Sequence, residues 1–149
     1  MKTHGVKRIS RRRRSRDAPI YEARTNDIVV RVVATYLPDQ SDPEDGQYFW
    51  AYTVEIENHG RETVQLVTRH WTITDALNRV EEVSGQGVVG EQPELKASEA
   101  FRYTSGVPLK TPSGTMRGRY HMVTAAGGGL AVDIPEFSLH LPGAGRVVN

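Results

Sequence analysis

The segment Gln47–Glu57 (QYFWAYTVEIE) alternates large apolar side chains with small or polar ones. Aromatic and β-branched residues fill the even positions from Tyr48 to Ile56, while the odd positions from Ala51 onward are alanine, threonine or glutamate. A two-residue period is that of a β-strand with one buried face. A chain that contains such a strand must build a sheet and cover one side of it.

The rest of the composition also favours sheet over helix. The chain has 17 Val, 6 Ile and 12 Thr against only 8 Leu, and β-branched side chains suit a pleated, half-buried surface. The pattern predicts further strands at Ile28–Leu37, Thr63–Thr74, Arg79–Val83, Ser98–Thr104, Gly114–Thr124 and Leu130–Leu141. Seven or eight short strands without an amphipathic helix predict an all-β fold, an antiparallel β-sandwich.

Three local signals refine this prediction. Asn78 is the natural residue to take a positive φ in the turn after Thr74, since Asn tolerates the left-handed region. Pro135 cannot donate a ladder hydrogen bond, which predicts an edge position or a bulge in the last strand. Pro93 is compatible with one short helical turn over Pro93–Ala97, because Pro is accepted at a helix start.

The small net charge of +1 hides two unlike segments. Residues 1–16 hold eight of the 19 basic side chains and no acid, which leaves 11 basic against 18 acidic side chains in the remainder. We therefore divide the chain into a basic arm, residues 1–20, for which disorder is expected, and one domain, residues 21–149. Any attraction to nucleic acid or another polyanion is expected to come through the arm alone.

Several classes of protein are disfavoured. The chain has no Cys, which excludes disulfides and thiolate chemistry and favours a reducing, cytoplasmic compartment. No apolar stretch is long enough for a membrane helix, so membrane insertion is not expected. Ser105 lacks a nucleophile-elbow context, and no carboxylate pair or metal triad emerges. We expect no enzymatic activity and no cofactor.

The run from Gly85 to Gly90 (GQGVVG) fits the Gly-x-Gly-x-x-Gly pattern of dinucleotide sites. Pro93 and the return to strand character leave no room for the long helix that such a site requires. Two interpretations stay open: a close-packed structural loop, and a loop whose amides at Gly85, Gly87 and Gly90 bind a phosphate or nucleotide with help from Arg69. The histidines have no metal-ligand spacing, so a metal site at His70 and His121 would require folding to bring them together.

The motifs between residues 69 and 139, taken together, resemble the ApaG family. They are RHWxIxD from Arg69, VEEVxGxGVVGEQP from Val80, FxYTSG from Phe101, GxMxGxYxM from Gly114 and IPxFxL from Ile134. Family members usually have Asn-Gly where this chain has Leu77-Asn78, and Pro-Gly where it has Ala97-Ser98. The likeness begins near Tyr21, so the basic arm lies outside it.

The resemblance implies an immunoglobulin-like or fibronectin type III-like sandwich and a small cytoplasmic bacterial protein. It links the chain by name and phenotype to cobalt and magnesium efflux. Related eukaryotic domains look like protein-interaction modules, and the glycine motif has prompted proposals of pyrophosphate binding. Our leading hypothesis is a non-enzymatic module that binds a protein partner. The alternative is anion or nucleotide binding at Gly85–Gly90, and a third hypothesis is direct handling of divalent cations.

Overall fold

The computed structural model describes residues 18–142 and the backbone of Gly5–Arg8. Within these ranges there is no α-helix, and two single 3₁₀ turns occupy Pro38–Gln40 and Pro43–Asp45. Ten strands carry the fold: β1 Gly5–Arg8, β2 Tyr21–Thr25, β3 Ile28–Tyr36, β4 Tyr48–Asn58, β5 Val64–Asp75, β6 Val80–Gln86, β7 Glu94–Leu95, β8 Glu99–Leu109, β9 Gly114–Thr124 and β10 Gly129–Leu139.

The strands form two antiparallel sheets. The first sheet has the order β1-β8-β4-β3-β2, and the second has the order β10-β9-β5-β6, with β7 also paired to β5. The two sheets pack face to face, so the predicted antiparallel β-sandwich is confirmed. On one side of the sandwich, the first sheet ends in the short β1, which pairs with β8, and the second sheet ends in β6.

The core lies between the sheets and follows the alternation in β4. Trp50, Val54 and Ile56 are at most 1% exposed and Tyr52 is 6% exposed, whereas the odd-numbered residues between them are half-buried. Tyr52 meets Trp71 of the second sheet edge-on at 5.3 Å between ring centroids. Aromatic pairs of this geometry add about 0.5–1.5 kcal/mol beyond area burial. The apolar face predicted for β4 is therefore the side that joins the two sheets.

The helical turn considered for Pro93–Ala97 is wrong. Glu94 and Leu95 form β7 and pair with Gln65 and Val64 at one end of β5. The side chain of Leu95 is 2% exposed, so burial of this one residue in the core decides the local conformation. β2 was absent from the predicted set of strands, and β8 continues through Gly106 and Pro108, where a strand end was expected.

The predictions for Asn78 and Pro135 are confirmed. Asn78 has φ 63°, in the left-handed region that Asn tolerates. Pro135 lies in a bulge between Ile134 and Phe137, on a strand at the edge of its sheet. Ser98, at the second place where the chain departs from the pattern of the family it resembles, also takes a positive φ, of 69°. Asn78 and Ser98 therefore each supply a left-handed residue at a turn.

Most of the basic arm, residues 1–4 and 9–17, lies outside the described residues, and so does the C-terminal end from residue 143. Gly5–Arg8 forms a short strand that pairs antiparallel with Glu99–Arg102 of β8. The four arginines at positions 11–14, on which the expectation of polyanion binding rests, are not described.

Candidate functional site

The tip of the glycine loop is a tight two-residue turn. Val88 and Glu91 exchange both backbone hydrogen bonds, at 2.8 and 2.9 Å, around Val89 and Gly90. Val89 has φ 41° and Gly90 has φ 80°, and two positive φ values in succession define a type I′ turn. A valine is rare at such a φ because its branched Cβ crowds the backbone. The tip is therefore a strained but closed hairpin.

Gly87 fixes how this loop meets β5. Its N–H donates to the Val67 carbonyl at 2.8 Å, and its φ is 65°. A Cβ at this position would lie 2.3 Å from the carbonyl oxygen of Glu91, so only glycine fits. The next residue, Val88, is 1% exposed and anchors the loop in the core. The Gly-x-Gly-x-x-Gly pattern thus has a packing explanation at this position.

Arg69 lies against the glycine loop, as the anion-binding hypothesis requires. Its guanidinium rests over Gly85, where a Cβ would come within 2.7 Å of Nη2. Nη1 donates to the carbonyl oxygens of Gln86 at 3.0 Å and Gly87 at 2.7 Å. The loop therefore turns carbonyls towards Arg69, while the amides of Gly87, Val88 and Glu91 donate within the protein. An anion would have to bind the remaining guanidinium N–H groups.

The charge of Arg69 acts on three tyrosines of the core, Tyr52, Tyr103 and Tyr120. The Tyr103 and Tyr120 hydroxyls are hydrogen-bonded at 2.5 Å, and both side chains are buried. Burial raises the pKa of Tyr103 and of Tyr120, and the Arg69 charge opposes this only in part. Burial also raises the pKa of Tyr52. All three phenols are neutral near pH 7, and Arg69 forms no ion pair with any residue between 18 and 142.

The two histidines proposed as metal ligands lie on neighbouring strands, where His121 stands opposite Thr68 and His70 stands opposite Arg119, and each has its own contacts. His70 contacts Ser84 Oγ through Nδ1 at 2.7 Å and Glu82 Oε1 through Nε2 at 3.2 Å. The His121 ring lies 3.3 Å from the place that a Cβ on Gly129 would take. No cluster of three or more His, Asp or Glu side chains suited to a metal occurs in the described part of the chain. His70 therefore fits the role of a hydrogen-bonded surface histidine.

A groove at one end of the sandwich was not anticipated from the sequence. We call it the end groove; its volume is about 600 Å³. It is lined by Gln40, Gln47, Tyr48, Phe49, Ile73, Asp75, Arg79, Val80, Glu81, Pro108, Leu109 and Lys110. Leu77 and Val80, in the β5–β6 hairpin beside it, are 66% and 59% exposed. The available sequence signal was a leucine in a tight turn, because an apolar side chain gains no stability from exposure to water at such a position.

The hairpin that carries these residues is braced by Asp75. Its carboxylate accepts hydrogen bonds from the backbone of Leu77 at 2.9 Å and Arg79 at 3.0 Å, and from the Arg79 side chain at 2.7 Å. Desolvation is the largest single effect and raises the pKa of the Asp75 carboxyl, but the hydrogen bonds from Arg79 and Leu77 and the Arg79 charge together outweigh it and lower that pKa. The exposed apolar side chains are therefore held on a defined turn.

The structure defines the class of molecule as a β-sandwich with a groove at one end, and comparison with known proteins gives its family. The sequence model of the ApaG domain matches residues 38–124. Protein ApaG of Caulobacter vibrioides is 67% identical over 139 residues, which is 93% of this chain and 99% of that protein. Protein ApaG of Rhodopseudomonas palustris is 56% identical over 130 residues, 87% of this chain and all of that protein.

A solved structure supports the same family assignment. A Bordetella pertussis protein, determined under the name ApaA, is 53% identical with a TM-score of 0.76, covering 78% of this chain and 94% of that one. The chain belongs to the ApaG family. In the described residues, no helix has the length and apolarity to span a bilayer.

Proposed function

We propose that the protein is a non-enzymatic, cytoplasmic interaction module that binds a protein partner at the end groove. The observation that carries this proposal is Val80, a largely exposed aliphatic side chain that lines the groove, together with Leu77, which is exposed in the turn that precedes it. Exposed apolar residues around a concavity are typical of protein-binding surfaces. Fully burying one such side chain contributes about 1.5–3 kcal/mol.

Charge indicates what kind of partner fits. The loop between β3 and β4, which contributes Gln40 and Gln47 to the groove, holds Asp39, Asp42, Glu44 and Asp45. All four are exposed, and Glu81 adds a further carboxylate to the lining. Lys110 and the Asp75-paired Arg79 are the cations that line the groove. A partner with an apolar anchor and basic flanks therefore complements this surface.

The test compares capture by the full chain and by a Leu77→Glu, Val80→Glu variant. Both residues are exposed, so the variant is expected to fold. Val89→Glu is the control, because Val89 is exposed and apolar but belongs to the glycine loop and not to the β5–β6 hairpin that borders the groove. Cross-linking in cells should identify a protein that wild type and the control retain and that the groove variant loses. Equal recovery of every partner by all three proteins would refute binding at the groove.

Anion binding is the second candidate, and it is supported by Arg69, a half-buried cation without an ion pair among the described residues. A phosphate would compete with the carbonyls of Gln86 and Gly87 for the guanidinium. Titration with ATP and pyrophosphate, followed by amide NMR, tests it. Absence of shifts at Gly85, Gly87 and Gly90 at millimolar ligand would rule out a useful site.

A role in cobalt and magnesium efflux would be regulatory under this proposal, acting through the bound partner. Direct binding of Co²⁺ or Mg²⁺ is tested by calorimetry on wild type and a His70→Ala, His121→Ala variant. Equal heats in the two proteins would remove these histidines as ligands.

A further inference from the structure

Strand β6 is an edge strand with a regular backbone that nothing covers in the described structure. It ends the order β10-β9-β5-β6, and its seven residues pair with β5 without a bulge. It contains neither proline nor lysine, which often protect such an edge. At the other side of the sandwich, β2 and β10 cover each other, and Asp133 N–H donates to Thr25 Oγ1 at 3.0 Å. The second sheet is therefore open to a further strand at β6.

The ladder with β5 decides which backbone groups of β6 face this edge. Asp75 N–H donates to the Arg79 carbonyl at one end of the ladder. Gly87 N–H donates to the Val67 carbonyl at the other end, in the same register. Hydrogen-bonded pairs recur at every second residue of an antiparallel ladder. The odd residues of β6 therefore bond to β5, and the backbone groups of its even residues point towards the edge.

Glu82 and Ser84 carry these outward groups at the middle of the edge. Their backbone N–H and C=O groups have no hydrogen-bond partner in the described part of the chain. At Gln86 the carbonyl already accepts a hydrogen bond from Arg69. An antiparallel strand can exchange two hydrogen bonds with Glu82 and two with Ser84.

A second copy of β6 is complementary to this edge when the two-fold axis passes through Val83. Antiparallel pairing about that axis places Glu82 of each copy opposite Ser84 of the other, and both are hydrogen-bonded pairs. Val83 then faces its own counterpart, and no glutamate stands opposite another glutamate. The strand is therefore self-complementary, as a two-fold interface requires.

The same register brings two unpaired charges to facing positions. The Arg69 guanidinium rests over Gly85, its neighbour on β6. Glu81 of the second copy stands opposite Gly85 and on the same face of the sheet, because the two positions add up to twice that of Val83. Neither Glu81 nor Arg69 forms an ion pair within residues 18–142. An inward-facing charge protects an edge from pairing, but here each copy supplies the opposite charge.

We propose that two copies of the chain associate by antiparallel pairing of their β6 strands, which joins their second sheets and pairs Glu81 of each copy with Arg69 of the other. The anion that Arg69 binds is then a carboxylate of this protein. The inference does not rest on the end groove, because the groove residues on β4 and β8 take no part in the pairing.

Sedimentation equilibrium of the full-length protein, from micromolar to millimolar concentration, measures the association in two pairs of variants. Ser84→Pro removes an outward N–H, whereas Ser84→Ala keeps it, and both lose the contact of Ser84 Oγ with His70. Glu81→Gln and Glu82→Gln each remove one acid. Glu82, however, lies on the other face of the sheet, beside His70 of its own chain.

We expect wild type to form a dimer whose Kd rises about tenfold or more in Ser84→Pro, since two hydrogen bonds are lost by symmetry. Glu81→Gln should raise the Kd about fivefold, while Ser84→Ala and Glu82→Gln should stay within about twofold of wild type. A wild type that is monomeric throughout this range would overturn the proposal. Equal effects of the two members of each pair would overturn pairing through β6.

A cysteine at the two-fold axis tests the register, and the chain has no other Cys. Facing residues of a pair without hydrogen bonds have Cα atoms about 4.5 Å apart, within the range that disulfides span. Val83→Cys should therefore oxidise to a covalent dimer faster than Leu77→Cys, although Leu77 is 66% exposed. Equal or slower oxidation of Val83→Cys would overturn the register.

Discussion

At the scale of single residues, Val89 holds an unfavourable conformation without a packing reason. Its side chain is 40% exposed and its φ is 41°. A left-handed conformation costs an ordinary L-residue about 1–2 kcal/mol, and Asn adopts it more readily. We expect Val89→Asn to raise the free energy of unfolding by about 1 kcal/mol, measured by urea denaturation.

Val89→Ala is the control for this change, because it shortens the side chain but keeps a Cβ at the same φ. Its stability should fall between those of wild type and Val89→Asn. An Asn variant no more stable than wild type would mean that the positive φ is not a source of strain.

The buried tyrosines make stability depend on alkaline pH. Burial raises the pKa of Tyr103 and Tyr120 above the ordinary value of about 10. Above pH 10 the unfolded chain releases these protons and the folded chain keeps them. The folded state is therefore fully stabilised below pH 10 and loses about 1.4 kcal/mol per pH unit for each tyrosine as the pH rises further.

The double variant Tyr103→Phe, Tyr120→Phe isolates this effect. The two hydroxyls are hydrogen-bonded to each other, and the double variant removes both, so no buried hydroxyl is left unpaired. The free energy of unfolding near pH 7 should therefore fall only slightly. Urea unfolding at pH 9, 10 and 11 should show a decline that is shallower in the variant by about 2.7 kcal/mol per pH unit above pH 10. Parallel curves for the two proteins would contradict the role given to these phenols.

At the scale of strands, one glycine in β9 decides how closely β5 can approach. A Cβ on Gly118 would lie 2.1 Å from the backbone oxygen of His70 and 3.1 Å from the Trp71 ring. Neither neighbour can yield, since one is backbone and the other is buried. Gly118→Ala should lower the free energy of unfolding by about 3 kcal/mol in urea denaturation.

Gly128→Ala provides the comparison for Gly118. Its nearest neighbour would be Thr124 Oγ1 at 3.5 Å, an ordinary contact. We expect a change within about 0.5 kcal/mol. Similar losses for both variants would show that glycine flexibility, and not the close approach of β5 and β9, determines the effect.

The strands that the sequence predicted well are those in which one face is fully buried. In β4 the two-residue alternation of apolar and polar residues in the sequence matches the alternation of buried and half-buried side chains in the structure. Asn78 and Pro135 were also informative, because their backbone restrictions act locally. β7 was misread because two residues cannot show a period, and only the distant partner Val64 makes them a strand.

The candidate site was less predictable for a similar reason. Proximity of Arg69 to the glycine loop was considered from sequence, but the orientation of the loop carbonyls depends on where Gly87 bonds to Val67. The end groove joins residues from β4, β5, β6 and β8 that lie far apart in sequence. No local sequence pattern predicts such a groove, apart from the exposed Leu77 in the turn before Val80.

At the scale of the whole molecule, charge separates the arm from the sandwich. Binding to single-stranded RNA should fall with salt at a logarithmic slope of about −0.7 for each phosphate neutralised. Replacing Arg11, Arg12, Arg13 and Arg14 by Gln removes half of the eight basic residues in 1–16 and should halve the slope. Fluorescence anisotropy with poly(U), between about 50 and 200 mM salt, measures it.

The matched control makes the same change in net charge on the sandwich. Arg61, Lys110, Arg117 and Arg119 are exposed cations there, and the residues after position 16 carry 18 acidic against 11 basic side chains. Replacing these four by Gln should leave the slope unchanged, because an acidic body does not collect phosphates on its own. If this variant lost as much of the slope as the arm variant, the sandwich itself would be the polyanion-binding surface, and the division of charge between the two segments would have no consequence for binding.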